Sequence, residues 1–258
     1  MDLGIKTQRF IVSGATSGFG RAIAEALVLE GARVLIVGRR QELAEAFQTA
    51  YPETVKVVVG DITQEETMNE VLRQLGEDQL AGVVINAGGP PAKSSLETEI
   101  KDWDAAYRGL LRWKVLFTQK LLPRLLQQEY GRLLFLESIS VKQPIENLVL
   151  SNSLRLAVVG YVKTLSQEIA ERGVTVNVLA PGYHDTPAMG RLFEKKSMQL
   201  GISPEEARRS FETEIKMGHL GRAKDFASLA IWLLSPHSNY ITGQTISVDG
   251  GLMKGIMG

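Results

Sequence analysis

Residues 13–20 read Ser13-Gly14-Ala15-Thr16-Ser17-Gly18-Phe19-Gly20, directly after the apolar run Phe10 to Ser13 and directly before the helical pattern Arg21 to Glu30. A strand, a glycine-rich turn and a helix in that order form a phosphate-binding element. One glycine takes the tight turn, others admit the ligand and the strand to close approach, and the free N–H groups of the helix amino end face a pyrophosphate. Gly14 suits the turn, and Gly18 and Gly20 suit the close approaches; the spacing G-x-x-x-G-x-G is a variant of the dinucleotide fingerprint. Three glycines could equally make a plain turn, so the rest of the chain has to decide.

Working outward, short β-rich runs alternate with stretches of helical period. The strand candidates are Phe10 to Ser13, Arg33 to Val37, Val55 to Val59, Gly82 to Ile85, Arg132 to Glu137, Thr175 to Ala180 and Thr245 to Val248. Between them, Arg21 to Glu30, Gln41 to Ala50, Glu65 to Leu75 and Leu154 to Arg172 place apolar residues three and four apart. This rhythm predicts an α/β protein: a single-domain Rossmann fold over residues 1–258, with a doubly wound, seven-stranded parallel sheet. No repeat, low-complexity tract or linker divides the chain. Residues 185–221 break the rhythm with charged clusters and with Ser203-Pro204-Glu205-Glu206, a capping box with proline at the first helical position. They read as a small helical lid near the carboxyl ends of the strands, where such sheets bind ligands.

At the end of the second strand the ribose 2′ position is read, by an acid for a free hydroxyl or by arginine for a 2′-phosphate. The sequence there is Gly38-Arg39-Arg40, which predicts NADP rather than NAD. Solvated arginines opening a helix are the alternative. Composition narrows the remaining classes. With 29 basic and 29 acidic residues the formal net charge is +0, giving no field to draw nucleic acid or an anionic membrane, so neither partner is expected. There is no Cys, hence no disulfide and no thiolate chemistry; the three His have no partners at metal-ligand spacing, so no metal site is expected. No apolar run reaches the length of a membrane span and Met1 to Phe10 has no leader-like core, so a cytoplasmic location is the expectation.

Ser13 to Gly20, Asp61, Asn86-Ala87-Gly88, Ser138, Pro181-Gly182, Ile241-Thr242-Gly243 and Asp249-Gly250-Gly251 stand in one order over nearly the full length. In this the chain resembles the short-chain dehydrogenase/reductase family, and within it the bacterial 3-oxoacyl-acyl-carrier-protein reductases. The resemblance implies that Ser13, Gly14, Thr16, Ser17, Gly18, Phe19 and Gly20 hold the cofactor's phosphates, with Arg39 and Arg40 at the ribose. It also implies that Asp61 and Ile62 flank the adenine, that Asn86, Ala87 and Gly88 line the cleft, and that Pro181, Gly182 and Thr186 hold the nicotinamide end. A homotetramer or homodimer is implied too, through the helix carrying the apolar stripe Leu154, Val158, Val162, Leu165 and Ile169.

The family's catalytic residues do not carry over. Its tyrosine lies thirteen residues after the strand-end serine, and its lysine four residues later; from Ser138 these counts reach Ser151 and Arg155. The family's relay asparagine falls on Leu110, found by aligning Asp102-Trp103-Asp104 with the usual helix start. A serine hydroxyl is a far weaker acid than a phenol, and a guanidinium does not pass protons as an amine does. Arg155 could grip ribose hydroxyls, stabilise an alkoxide or pair with a substrate carboxylate. Tyr161 lies ten residues past Ser151, about 15 Å along the helix, which is too far to stand in for the tyrosine; Tyr183, His184 and Lys142 could reach substrate. Two readings follow. One is an NADP-dependent oxidoreductase interconverting a carbonyl and a secondary alcohol through Ser138, Ser151 and Arg155. The other is a catalytically silent NADP(H)-binding sensor or partner subunit.

Overall fold

The computed structural model describes residues 1–256. Its elements, in chain order, are β1 (Arg9–Ser13), α1 (Gly18–Leu29), β2 (Arg33–Gly38), α2 (Gln41–Ala50), β3 (Val55–Val59), α3 (Glu65–Leu75) and β4 (Gly82–Ile85). There follow α4 (Ile100–Tyr107), α5 (Trp113–Gln127), β5 (Gly131–Leu136), α6 (Val149–Ile169) and β6 (Val174–Pro181). The chain closes with β7 (His184–Asp185), α7 (Pro187–Leu200), α8 (Pro204–Glu212), β8 (Gly221–Arg222), α9 (Ala223–Leu233) and β9 (Thr245–Val248). A π-helical turn, Arg108–Arg112, joins α4 to α5.

Seven parallel strands pair in the order β3-β2-β1-β4-β5-β6-β9, and the fold is the single-domain α/β Rossmann arrangement that the alternating rhythm predicts. Strands covered on both faces must be apolar throughout: β4 is the buried run Gly82–Ile85, and all of β6 is buried. Successive residues feed opposite layers. Phe10 and Val12 join Ile23, Leu27, Phe226 and Ala230 on one side, whereas Ile11 joins Trp113, Phe117, Val158 and Val162 on the other.

Several boundaries differ from expectation. β5 begins at Gly131 and ends at Leu136, so Glu137 lies just past the strand while its N–H still donates to Leu179 O at 2.9 Å. β1 and β6 are longer than their apolar runs, and α1 starts at Gly18 rather than Arg21. α6 starts at Val149, five residues before Leu154, which brings Ser151 into its first turn. The polar string Ser151-Asn152-Ser153 masks that start in the sequence. The stripe expected to face a partner subunit is instead mostly core: Val158, Val162, Leu165 and Ile169 are buried under the chain's own sheet.

Residues 185–221 carry α7 and α8 between the short strands β7 and β8. α7 and α8 pack on each other around Met189, Phe193 and Ala207, and the Ser203–Glu206 capping box is present. The insertion leaves and rejoins the body through one parallel pair, His184 beside Gly221 and Asp185 beside Arg222.

Candidate active site

β1 lies between β2 and β4, so the chain's crossovers diverge at the carboxyl end of β1 and open a crevice there. The glycine-rich turn forms its floor. Gly14 has φ +64°, and a Cβ there would stand 2.6 Å from Asn86 Nδ2; a Cβ on Gly20 would stand 2.4 Å from Gly14 O. The turn is therefore as tight as a backbone allows. Ser17 is the N-cap of α1 but its side chain makes no cap hydrogen bond, and no acid sits in the first turn. Uncapped N–H groups with the positive end of the helix dipole suit a phosphate. Ser13 contributes differently: fully buried, its Oγ accepts from Asn86 N at 2.8 Å and joins the end of β1 to the end of β4. Phe19 turns away from the crevice to pack on Phe226 and His184.

Arg40 lies across this turn. Its Nη2 donates to Ser17 Oγ at 2.6 Å and to Thr16 Oγ1 at 3.0 Å. Arg39, at the end of β2, is exposed and stands 4.0 Å from Asp61 Oδ2, so only the Arg40 guanidinium contacts the phosphate loop. Asp61 Oδ1 accepts from Thr63 N at 3.0 Å, and Ile62 beside it is buried. Asn86 and Ala87 are half-buried and Gly88 is exposed at the end of β4.

Across the crevice, Pro181 ends β6, and Gly182 packs so closely on Asp249 that a Cβ would meet Asp249 Cβ at 2.7 Å. Thr186 caps α7 by accepting from Met189 N, and a Cβ on Gly18 would lie 3.9 Å from Thr186 Cβ. Of the neighbouring candidates, His184 is turned inward: its ring packs on Phe19 and Phe226, and its Nδ1 lies 3.1 Å from Gly182 O. Burial holds its pKa below the ordinary histidine value, against the opposing bond to Gly182. Tyr183 packs on Phe211, and burial together with Glu214 pushes its phenol up to about 12, away from any role as a ready acid.

The positions aligned with the family's catalytic residues hold a buried polar chain. Arg155 Nε donates to Ser151 Oγ at 3.0 Å, one helical turn apart on α6, and Arg155 Nη1 donates to Glu137 Oε2 at 2.9 Å. The other oxygen of Glu137 is paired with Lys114 Nζ from α5. Glu137 is wholly buried and Lys114 nearly so. Burial pulls the Lys114 amine below its ordinary value, opposed by the attraction of Glu137 and reinforced by Arg155. Ser138 caps the short 3₁₀ turn Ile139–Val141, its Oγ accepting from Ser140 N at 3.2 Å. It makes no hydrogen bond to Ser151 or Arg155. Leu110 is buried in the π turn and lines a cavity of about 220 Å³ with Gly89, Ala106 and Leu150.

Sequence reasoning brought Ser151 and Arg155 together but missed Glu137 and Lys114. A signal was available: each is a lone charge inside an apolar run, Leu133-Leu134-Phe135-Leu136-Glu137 and Trp113-Lys114-Val115-Leu116-Phe117. Buried charges of that kind occur in pairs. Among the described residues no group of three His, Asp or Glu could hold a metal ion, and no helix is long and apolar enough to cross a membrane.

Comparison with known proteins identifies the class. A family model described as enoyl-(acyl carrier protein) reductase matches residues 14–253, and the chain belongs to this family of short-chain dehydrogenase/reductases. It is 28% identical to the 3-oxoacyl-acyl-carrier-protein reductase FabG of Aquifex aeolicus over 98% of this chain and 100% of that one. Among solved structures it resembles YwfH, an NADPH-dependent reductase involved in bacilysin biosynthesis, with a TM-score of 0.91 at 26% identity over 97% of this chain and 100% of that one. A single-residue variant of the actinorhodin polyketide ketoreductase with NADPH is similar at a TM-score of 0.90 and 26% identity, over 95% of this chain and 97% of that one.

Proposed function

We propose that the chain is an NADP(H)-dependent reductase of a small carbonyl compound, with Ser151 and Arg155 in the places of the family's tyrosine and lysine. The observation that supports this reading is the bonded Ser151–Arg155–Glu137 chain, at the positions of the family's catalytic residues, in a chain whose glycine-rich turn and uncapped helix end fit a dinucleotide phosphate. Gly14, Thr16, Ser17, Gly18 and Gly20 would hold the pyrophosphate, with Ser13 positioning Asn86 and with Phe19 as packing. Arg39 and Arg40 would take the 2′-phosphate, Asp61 and Ile62 the adenine, Asn86, Ala87 and Gly88 the cleft wall, and Pro181, Gly182 and Thr186 the nicotinamide end. A bound reduced dinucleotide would supply a hydride to the carbonyl carbon, and the proton taken by the carbonyl oxygen would come from solvent through the Ser151 hydroxyl.

Arg155 donates to the Ser151 oxygen, which leaves the serine's own hydrogen free to point at a substrate oxygen. The guanidinium stabilises the negative charge that collects there. Ser138, whose oxygen accepts from the backbone, presents a second free hydroxyl hydrogen. Glu137 and Lys114 fix the cation without touching substrate. A general acid is worth about 10²- to 10⁴-fold in rate, so turnover slower than that of a tyrosine-bearing relative is expected. Residues 185–221 would cover the substrate.

The decisive measurements are the affinities of NADPH and NADH and the absorbance change at 340 nm with a carbonyl panel. NADPH should bind at least tenfold more tightly than NADH, and Arg40→Ala should weaken NADPH by more than NADH. Equal affinities would remove the 2′-phosphate reading. The absence of the family's tyrosine favours a second reading, a silent NADP(H) sensor or partner subunit. Activity appearing only in the Ser151→Tyr, Arg155→Lys double variant would select it.

A further inference from the structure

We infer that the substrate is an oxo acid whose carboxylate is held by the free edge of Arg155; this deepens the reading above and rests on it. The guanidinium is nine-tenths buried, and only part of its donor set is used. Nε is given to Ser151 and Nη1 to a single oxygen of Glu137. A carboxylate free to do so would take an arginine through both oxygens. Glu137 does not: its other oxygen is paired with Lys114. The Arg155–Glu137 contact is single, and Nη2 is left without a hydrogen-bond partner among the described residues. No other carboxylate among them lies within ion-pair distance of Arg155.

Nη2 faces Gly89: a Cβ there would stand 3.1 Å from it. That glycine also lines the 220 Å³ cavity bounded by Pro90, Ala106, Gly109, Leu110 and Leu150. Gly89, with no side chain, is thus all that stands between the guanidinium edge and an apolar space of small-molecule size. Asp102, the acid at the cavity wall, is already paired with Lys93 Nζ at 2.7 Å and with Glu99 N at 2.9 Å. A planar cation on one side of Gly89 and an apolar space on the other fit a short carbon chain ending in a carboxylate.

The test uses the full chain loaded with NADP⁺, which cannot reduce an oxo acid, with calorimetric titration of 2-oxobutanoate, 3-oxobutanoate and 4-oxopentanoate, each beside its methyl ester. At least one acid should bind tenfold or more tightly than its ester. That preference should vanish in Arg155→Met and shrink in Gly89→Ala, which places a methyl over the free edge and serves if the first variant does not fold. If NADP⁺ binds and every acid binds no better than its ester, the carboxylate anchor is wrong while the cofactor reading stands. If Arg155→Met weakens NADP⁺ binding itself and native protein shows no acid preference, the arginine serves the cofactor instead. If NADP⁺ does not bind, the underlying reading falls, and this inference with it.

Discussion

Glu137 is one carboxylate set between two cations, and that asymmetry makes its loss costly. Glu137→Gln leaves Lys114 and Arg155 buried beside each other with no counter-charge, and breaking a buried pair in this way costs about 3 to 5 kcal/mol. Lys114→Met leaves the Arg155–Glu137 pair intact and replaces a buried amine by an apolar side chain of similar length, so it should cost far less. Urea unfolding of both variants measures the difference; equal losses would mean that the three groups do not act as one cluster. Ser151 and Arg155 were legible because they stand at counted intervals from Ser138. Glu137 and Lys114 were not, because their pairing joins residues 23 apart in sequence on separate elements, and no local pattern encodes such a meeting.

At the scale of elements, one ring joins β7 to α1 and α9. His184 packs against both Phe19 of α1 and Phe226 of α9, and its Nδ1 donates to Gly182 O. Burial lowers its pKa below the free value of 6.5, so the folded chain binds this proton less readily than the unfolded chain does. The contribution is fully present above 6.5 and is lost progressively as the pH falls through and below that value. Stability should therefore decline between pH 7 and pH 5, and the decline should be shallower in His184→Gln. A variant with the native slope would show that other groups set it. Elements with a strong period or a cap were readable in advance, as α2, α3 and the Ser203 capping box show. The start of α6 was obscured by its polar first turn, and the π turn at Arg108–Arg112 has no signature that distinguishes it from ordinary helix.

Across the whole molecule, Arg132 fastens distant parts of the sheet's amino-terminal edge. Buried on β5, it donates to Gly173 O at 3.1 Å and to Asn239 Oδ1, and its guanidinium lies 4.2 Å from the Tyr130 ring centroid. Arg132→Met should orphan these acceptors and lower stability by about 3 kcal/mol, read by urea unfolding; a change below about 0.5 kcal/mol would show that water replaces it fully. The doubly wound order was predictable because strand and helix periods alternate without interruption. The geometry of the insertion was not, since its ends meet through two residue pairs too short to read as strands. That meeting has a consequence for how such a protein diversifies. With exit and re-entry points one strand spacing apart, a replacement segment of different length faces almost the same closure entropy, which grows only logarithmically with length. A different segment can be spliced in between Asp185 and Gly221 without re-engineering the scaffold beneath it.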